Sequence, residues 1–385
     1  MVSGWLTATE ATTLLGVKPA TLYAYVSRGL VARERVPGGR TSRYARADVE
    51  RLAGRQRTSA GRSGGVEVVI ETELTLLDPA GHLHYRGWDV TDAADAGFEV
   101  VAHWLWTGER TTDEIVLPTP TNVPRIEGTE GIDLVRAVLA ATRPRGSLDH
   151  DRRAGAVAET GRTIVATMIA ALPERQPALA PTTVAARLWT RLTDRPPRVR
   201  DLDLLDAALV VLADHELATS TLAARVAAST WADPHLVVLA GLSVLGGPLH
   251  GGASEQARAL LREVAGGTNA ADAIDTRIAT GQLVPGFGHS VYRVRDPRAD
   301  LLLDRMTRST AADDVLDEMH RRQLPFPNVD FALAVLTEAQ DMVPGASELI
   351  FAVARVAGWL AHAIEEYEHR LRFRPRAAYV GVQPS

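Results

Sequence analysis

A chain of 385 residues, 46% hydrophobic and 23% charged with a formal net charge of −5, has the balance of a globular protein long enough for two or three domains. It contains no cysteine, which excludes disulfides, a thiolate nucleophile and a Cys-ligated metal. No basic-then-apolar leader is visible and no apolar run approaches the ~20 residues of a membrane span, so the expected location is the cytoplasm.

Charge is unevenly spread. Residues 1–57 hold ten Lys/Arg against four Asp/Glu, a net +6, which leaves −11 for residues 58–385. A basic head on an acidic body implies two jobs. The stretch "GRQRTSAGRSGG" (54–65) has no apolar period and reads as the linker between them.

In the head, Thr7 is a helix cap with Glu10 as its capping-box partner, and Ala11, Leu14 and Leu15 follow at helical spacing up to Gly16. Pro19 suits the first turn of a second helix, which carries Leu22, Tyr23 and Val26 and stops at Gly29. Two short helices around a Gly turn make a helix-turn-helix. Pro37-Gly38-Gly39 reads as the tip of a hairpin wing that carries Arg40 and Arg43, and Asp48 as the start of a third helix. Residues 4–55 thus resemble the winged helix-turn-helix of the MerR and excisionase type. The resemblance turns Lys18, Thr21, Tyr23, Arg28, Arg40 and Arg43 toward duplex DNA. The plainer alternative is a small docking module with solvated arginines.

From Val66 onward helical patterns dominate. "DLLDAALVVLADHELATSTLAARVAAST" is long, apolar and alanine-rich, and "ELIFAVARVAGWLAHAIEEYEHRL" is amphipathic. Only "VEVVIETELTLLD" and "HLHYRG" look strand-like. Three stretches set one ionisable residue at a Gly or Pro break: "GGPLHGGASEQ" with His250, "VPGFGHSVYRVRDPRAD" with His289, and "LPFPNVDFA" with Asp330. Two histidines and a carboxylate on constrained loops suit acid/base chemistry, although each alone is more simply a turn residue or a helix cap.

These stretches, with "LDPAGHLHYRGWDVTDAAD", "FEVVAHWLWTGE", "ADHELATST", "FAVARVAGWLAH" and "RFRPRAAYVG", occur in an order that resembles citrate synthase over most of residues 66–385. The resemblance implies a mostly α homodimer with the citrate synthase fold. A large helical domain (66–251 and 342–385) and a smaller closing domain (252–341) would follow the helix-turn-helix domain (1–55) and linker (56–65). It implies condensation of an acyl-CoA with oxaloacetate, without a metal or resident cofactor. Asp330 matches the base that takes a proton from the acyl carbon. His250 matches the histidine that stabilises the enol, and His289 the one that polarises the oxaloacetate ketone. His215, Arg298, Arg355 and Arg374 match oxaloacetate contacts, with Arg374 reaching in from the other subunit. Arginine forks are natural carboxylate receptors. Ser220 matches the serine that orients the first catalytic histidine. Val284 and Gly286, in the loop 283–288, match backbone contacts to CoA, and Arg293 a phosphate contact.

Four positions depart from the family pattern. Leu212 stands where a histidine is common, Ala218 and Ser254 where asparagines are, and Ser290 where bacterial relatives carry an arginine. Ser254 and Ala218 remove amides expected around His250 and His215. Two readings follow: an active synthase for acetyl-CoA or propionyl-CoA, or a transcription regulator whose synthase-like body senses CoA esters or oxaloacetate.

Overall fold

Thr7 and Glu10 close the start of the first helix as the capping box predicts. The Thr7 N–H donates to Glu10 Oε2 at 2.7 Å and the Glu10 N–H to Thr7 Oγ1 at 3.3 Å. The protein is seen in a computed structural model that describes residues 4–15, 22, 26, 31–35, 42–50, 70–144, 151–179, 183–247, 252–369, 371 and 373. It divides into two compact units, Met1–Glu71 and Thr72–Ser385.

In the first unit, strand β1 (Trp5–Thr7) leads into α1 (Ala8–Leu15), and β2 (Arg33–Arg35) and β3 (Ser42–Ala45) form the expected hairpin. β1 was not anticipated: it pairs with β3, giving an antiparallel sheet in the order β1-β3-β2. Three residues are too few for an alternating pattern to register in a sequence. Leu6, Ala11, Leu22, Val31, Tyr44 and Val49 form the small core, with Val26 packed against it. Helical structure resumes at residue 46, two residues before Asp48, whose carboxylate accepts the Ala32 N–H at 2.9 Å. Arg43 is exposed on β3; Lys18, Thr21, Tyr23, Arg28, Arg40 and the wing tip lie outside the described residues.

The second unit opens on an antiparallel sheet of β4 (Thr75–Asp78), β5 (His82–Tyr85) and β6 (Trp88–Asp89). Helices follow: α2 (Val90–Ala93), α3 (Phe98–Thr107), α4 (Gly131–Thr142), α5 (Ala154–Ala171), α6 (Val184–Leu192), α7 (Val199–Leu212), α8 (Thr219–Ser229) and α9 (Pro234–Leu245). Then come α10 (Ala253–Ala265), α11 (Ala270–Ala279), α12 (Pro297–Arg305), α13 (Thr310–Arg321), α14 (Val329–Ala339) and α15 (Ala346–Tyr367). The unit is mostly helical, as expected. The expectation of no span-length apolar segment is corrected: α15 is long and apolar enough to cross a membrane by length and composition. It is instead the central core helix, packed by α3, α5, α7, α8 and α9. Its buried Arg355, His362 and Glu366 are hydrogen-bonded within the protein.

The apolar run 203–230 does not make one helix. α7 ends at Leu212 and α8 starts at Thr219. α15 causes the break. Gly358 lies so close that a Cβ there would sit 2.2 Å from Asp214 Oδ1 and 2.6 Å from the Ala213 carbonyl. Its N–H donates to that carbonyl at 2.9 Å. The freed segment 213–218 carries His215.

Candidate active site

Four chain breaks converge on one cavity of about 780 Å³, lined by His215, Glu216, Ala218, His289, Ser290, Arg298, Asp330, Phe351 and Arg355 among others. Five residues named from the sequence therefore line one cavity: His215, His289, Arg298, Asp330 and Arg355. His250 and Arg374 lie outside the described residues.

Segment 213–218 is held from below. The Tyr85 hydroxyl lies 3.1 Å from the Val210 and Asp214 carbonyls and 3.2 Å from that of Val211, closing the end of α7. Asp214, fully buried, accepts from Thr75 Oγ1 at 2.5 Å and from His362 Nε2 at 3.3 Å. The His362 tautomer follows from its other nitrogen, 2.8 Å from Arg225 Nη1, which can only donate. Nδ1 accepts, so Nε2 carries the proton. Burial pushes the Asp214 carboxyl up, but His362 and Arg355 outweigh it and hold it below the usual range.

His289 is fixed in the same way. Its Nδ1 accepts the Val291 and Tyr292 N–H groups at 3.0 and 3.2 Å. In the neutral ring the proton is then on Nε2, the remaining donor. Burial, reinforced by Arg298, pushes the His289 pKa down to about 4, so the ring is neutral at pH 7. His215 is 5.1 Å away, ring to ring and edge-on. Its pKa is also well below the ordinary value, through burial and then the Arg298 and Arg355 charges. His215 Nε2 is buried without a hydrogen-bond partner among the described residues.

These shifts carry a pH signature. Between pH 6.5 and 4 the unfolded chain takes up a proton at His289 that the folded protein refuses, so this group lowers stability as pH falls through that window and not above it. Buried acids such as Asp206, raised to about 7, act in the opposite sense, so the histidine is isolated by difference. His289→Gln should gain stability relative to the parent as pH drops from 7 to 4.5, read from urea midpoints. A constant difference would show that His289 is not held neutral.

The two arginines differ. Arg298, in the first turn of α12, is held bidentately by Asp296 through Nε at 2.9 Å and Nη2 at 2.8 Å. Burial alone would lower its pKa, but the Asp296 charge more than reverses this. Asp296 also accepts the Arg298 and Val329 N–H groups at 3.1 Å each, joining the starts of α12 and α14. Arg355, in mid-α15, donates Nε to the Leu212 carbonyl at 2.7 Å. Its Nη1 and Nη2 are buried without partners among the described residues, and burial lowers its pKa to about 10. A buried guanidinium with two free donors is a receptor for an anion.

Asp330 was expected on a loop; it lies in the first turn of α14, capped by Asn328, whose Oδ1 accepts the Asp330 and Phe331 N–H groups at 3.0 and 3.4 Å. The bland cap reading of "PNVD" therefore holds for Asn328, and Asp330 is freed to face the cavity. Burial pushes the Asp330 carboxyl up. Ser254, in the first turn of α10, donates to Asp330 Oδ1 at 2.6 Å. The sequence had placed Ser254 in the shell around His250 and His215; the structure adds Asp330 as its hydrogen-bond partner.

The remaining residues have structural settings of their own. Ser220 is buried in α8. Val284, Gly286 and Arg293 do not line the cavity. Gly286, at φ +84°, presses on α14, where a Cβ would lie 2.8 Å from Phe331 Cβ, and its carbonyl accepts the Asn328 N–H at 2.9 Å. Arg293 is exposed, and its N–H donates to the Pro79 carbonyl at 3.1 Å. Leu212 is buried, and its carbonyl rather than its side chain serves the site. Sequence reasoning missed Asp296, Asp214, Tyr85, His362 and Phe351. Asp296 had a signal: an Asp before Pro at a helix start. The others are defined by contacts more than 120 residues away, except Phe351, one helical turn from Arg355.

Residues 65–376 match the family model described as citrate synthase, C-terminal domain, and residues 5–57 match a helix-turn-helix domain. The chain is 30% identical to citrate synthase 2 of Bacillus subtilis, over 82% of this chain and 94% of that one. It is 29% identical to the 2-methylcitrate synthase of Shewanella oneidensis, over 85% and 96% respectively. The crystal structure of citrate synthase from Thermotoga maritima superposes with a TM-score of 0.67 at 25% identity, covering 83% of this chain and 95% of that chain.

Proposed function

Because the chain belongs to the citrate synthase family, we propose that its cavity condenses a short acyl-CoA with oxaloacetate to give citrate or 2-methylcitrate and free CoA. One observation carries the reading. An anion receptor with two donors unpartnered among the described residues (Arg355), a neutral donor ring (His289) and a carboxyl held up by burial (Asp330) face the same space. Oxaloacetate carries two carboxylates and a ketone. Arg355 and Arg298 take the carboxylates, with Arg374 of the partner subunit in a homodimer as the third cation. His289 Nε2–H, and His215 beside it, address the ketone oxygen.

The chemistry balances as follows. Asp330 removes a proton from the carbon next to the thioester carbonyl, and His250 supports the enol oxygen. That carbon bonds to the ketone carbon, the C=O π bond opens, and His289 gives its Nε2 proton to the alkoxide. The proton taken up by Asp330 passes through solvent to His289 Nε2, so both groups regain their starting states. One water then cleaves the thioester to a carboxylate and the CoA thiol. Closure of residues 252–341 over the substrates would exclude other water during the first steps.

The test is free-thiol release on mixing the protein with oxaloacetate and either acetyl-CoA or propionyl-CoA. Release from one or both supports the reading, and the ratio assigns the acyl group. One methyl is worth only about 1–3 kcal/mol in an apolar pocket. No release from either ends the synthase reading.

A second activity rests on the head, which matches a helix-turn-helix domain and carries +6. We propose that it binds duplex DNA in the cytoplasm, with two heads of a homodimer favouring a two-fold symmetric site. Fluorescence anisotropy against genomic fragments should show binding that weakens steeply with salt, because phosphate contacts release counterions. Deleting residues 1–60 should abolish that binding and leave thiol release intact. No fragment bound at low salt would reassign the head to protein docking. If oxaloacetate shifts DNA affinity, DNA must shift oxaloacetate affinity equally, which would make the body a sensor as well.

A further inference from the structure

We propose that Ser254 is a positioning residue for Asp330, its hydroxyl pinning one carboxylate oxygen so that the other is presented to the substrate carbon. The inference rests on the reading of Asp330 as the base.

The geometry is specific. α10 and α14 pack against each other, and their first turns meet at the cavity, with Ser254 the second residue of one and Asp330 the second residue of the other. Ser254 is 2% exposed. Its Oγ lies 2.6 Å from Asp330 Oδ1, the short distance of a hydroxyl donating to a carboxylate. The Asp330 backbone is held separately, by Asn328. With the backbone held, the Ser254 bond restrains the side-chain torsions of Asp330 and so the direction of its carboxylate. Oδ1 is occupied, and Oδ2 has no hydrogen-bond partner among the described residues. A base whose orientation is set before substrate arrives loses less on reaching the transition state.

The bond acts on charge as well as direction. Burial opposes ionisation of Asp330, while the Ser254 hydroxyl and, at longer range, Arg298 favour it. Asp296 from the 284–296 loop disfavours it, and Arg355 from α15 favours it. Of these four groups only Ser254 is hydrogen-bonded to the carboxylate. Removing its hydroxyl should thus make Asp330 ionise at higher pH and leave its plane unset. The two consequences separate. A more basic carboxylate would by itself speed proton abstraction once ionised, so a lower kcat on the high-pH plateau reports orientation. Displacement of the acid limb reports the hold on the anion.

The experiment compares Ser254→Ala, Ser254→Thr and Ser254→Val in the full-length protein. Thr and Val have nearly the same shape and differ by the hydroxyl, so any steric cost cancels between them. Thiol release should show kcat down roughly tenfold in Ser254→Ala, with KM for acyl-CoA within about twofold and the acid limb moved to higher pH. Ser254→Thr should exceed Ser254→Val in kcat by a similar factor. Unchanged kcat and limb in Ser254→Ala, or equal losses in Thr and Val, would overturn the proposal. If the parent protein releases no thiol, the synthase reading has failed, and the contact is still decided by ¹³C NMR of aspartate-labelled protein. The Asp330 carboxyl signal, assigned by its loss in Asp330→Asn, should titrate at higher pH in Ser254→Ala than in the parent. Identical titration would overturn the proposal.

Discussion

Asp330→Asn should lower turnover by roughly 10²- to 10⁴-fold, the range a positioned general base supplies, while leaving the protein folded. The substitution keeps shape and removes only the ability to accept a proton. The helix it starts does not depend on the side chain, because Asn328 Oδ1 takes the first N–H groups of α14. Two small effects nearly cancel in stability. A carboxylate in a first helical turn is favourable by about 0.3–1 kcal/mol through the helix dipole, and an amide escapes the burial that pushes this carboxyl up. Thermal unfolding should shift by a few degrees at most. Thiol release measured on purified, folded Asp330→Asn is the check. Turnover near that of the parent would remove Asp330 from the chemistry, and with it the role given to Ser254.

What a reader of the sequence could see divides along a physical line. The Thr7–Glu10 box was legible because its partners are three residues apart and the bond is local. The hairpin of β2 and β3 was legible from its turn residues, and β4 and β5 as strand-like stretches from composition, without their pairing. His215, His289, Arg298, Asp330 and Arg355 could be named from motif wording, yet nothing local requires that they meet. Their meeting depends on contacts such as Gly358 against Asp214 and Asp296 across to Val329. The 203–230 run shows the limit most clearly. Its composition is helical throughout, and it breaks at 213–218 because another helix occupies the space, a tertiary override of propensity. Ser254 was visible only as an odd residue in a glycine-rich stretch. A hydroxyl has no direction in a sequence, and 76 residues separate it from the carboxylate it meets.

Arg355→Met should abolish oxaloacetate binding with little change in the stability of the unliganded protein. In the free state Arg355 is a poor investment for the fold. Its Nη1 and Nη2 are buried without partners among the described residues, and burial drags its pKa down to about 10, the mark of a cation held where it is disfavoured. Methionine fills a similar volume against Phe351 without that burden. Two losses offset the relief: the Leu212 carbonyl loses its donor, and Asp214 loses a nearby positive charge. A lost hydrogen bond of about 1–3 kcal/mol against a relief of about 1–4 kcal/mol leaves a net change near zero. Binding has no such offset. Truncating one side of a buried charge pair costs about 2–5 kcal/mol or more, which is a loss of about 30-fold to several thousandfold in affinity. At an oxaloacetate concentration of about 100 times the parent's Kd, the parent gains about 2.7 kcal/mol from ligand, and the variant should gain under about 1 kcal/mol. Paired thermal melts with and without oxaloacetate read both quantities at once. A variant that melts far below the parent but keeps its oxaloacetate shift would make Arg355 a structural cation. The receptor role would then pass to Arg298, whose fork is already half-occupied by Asp296.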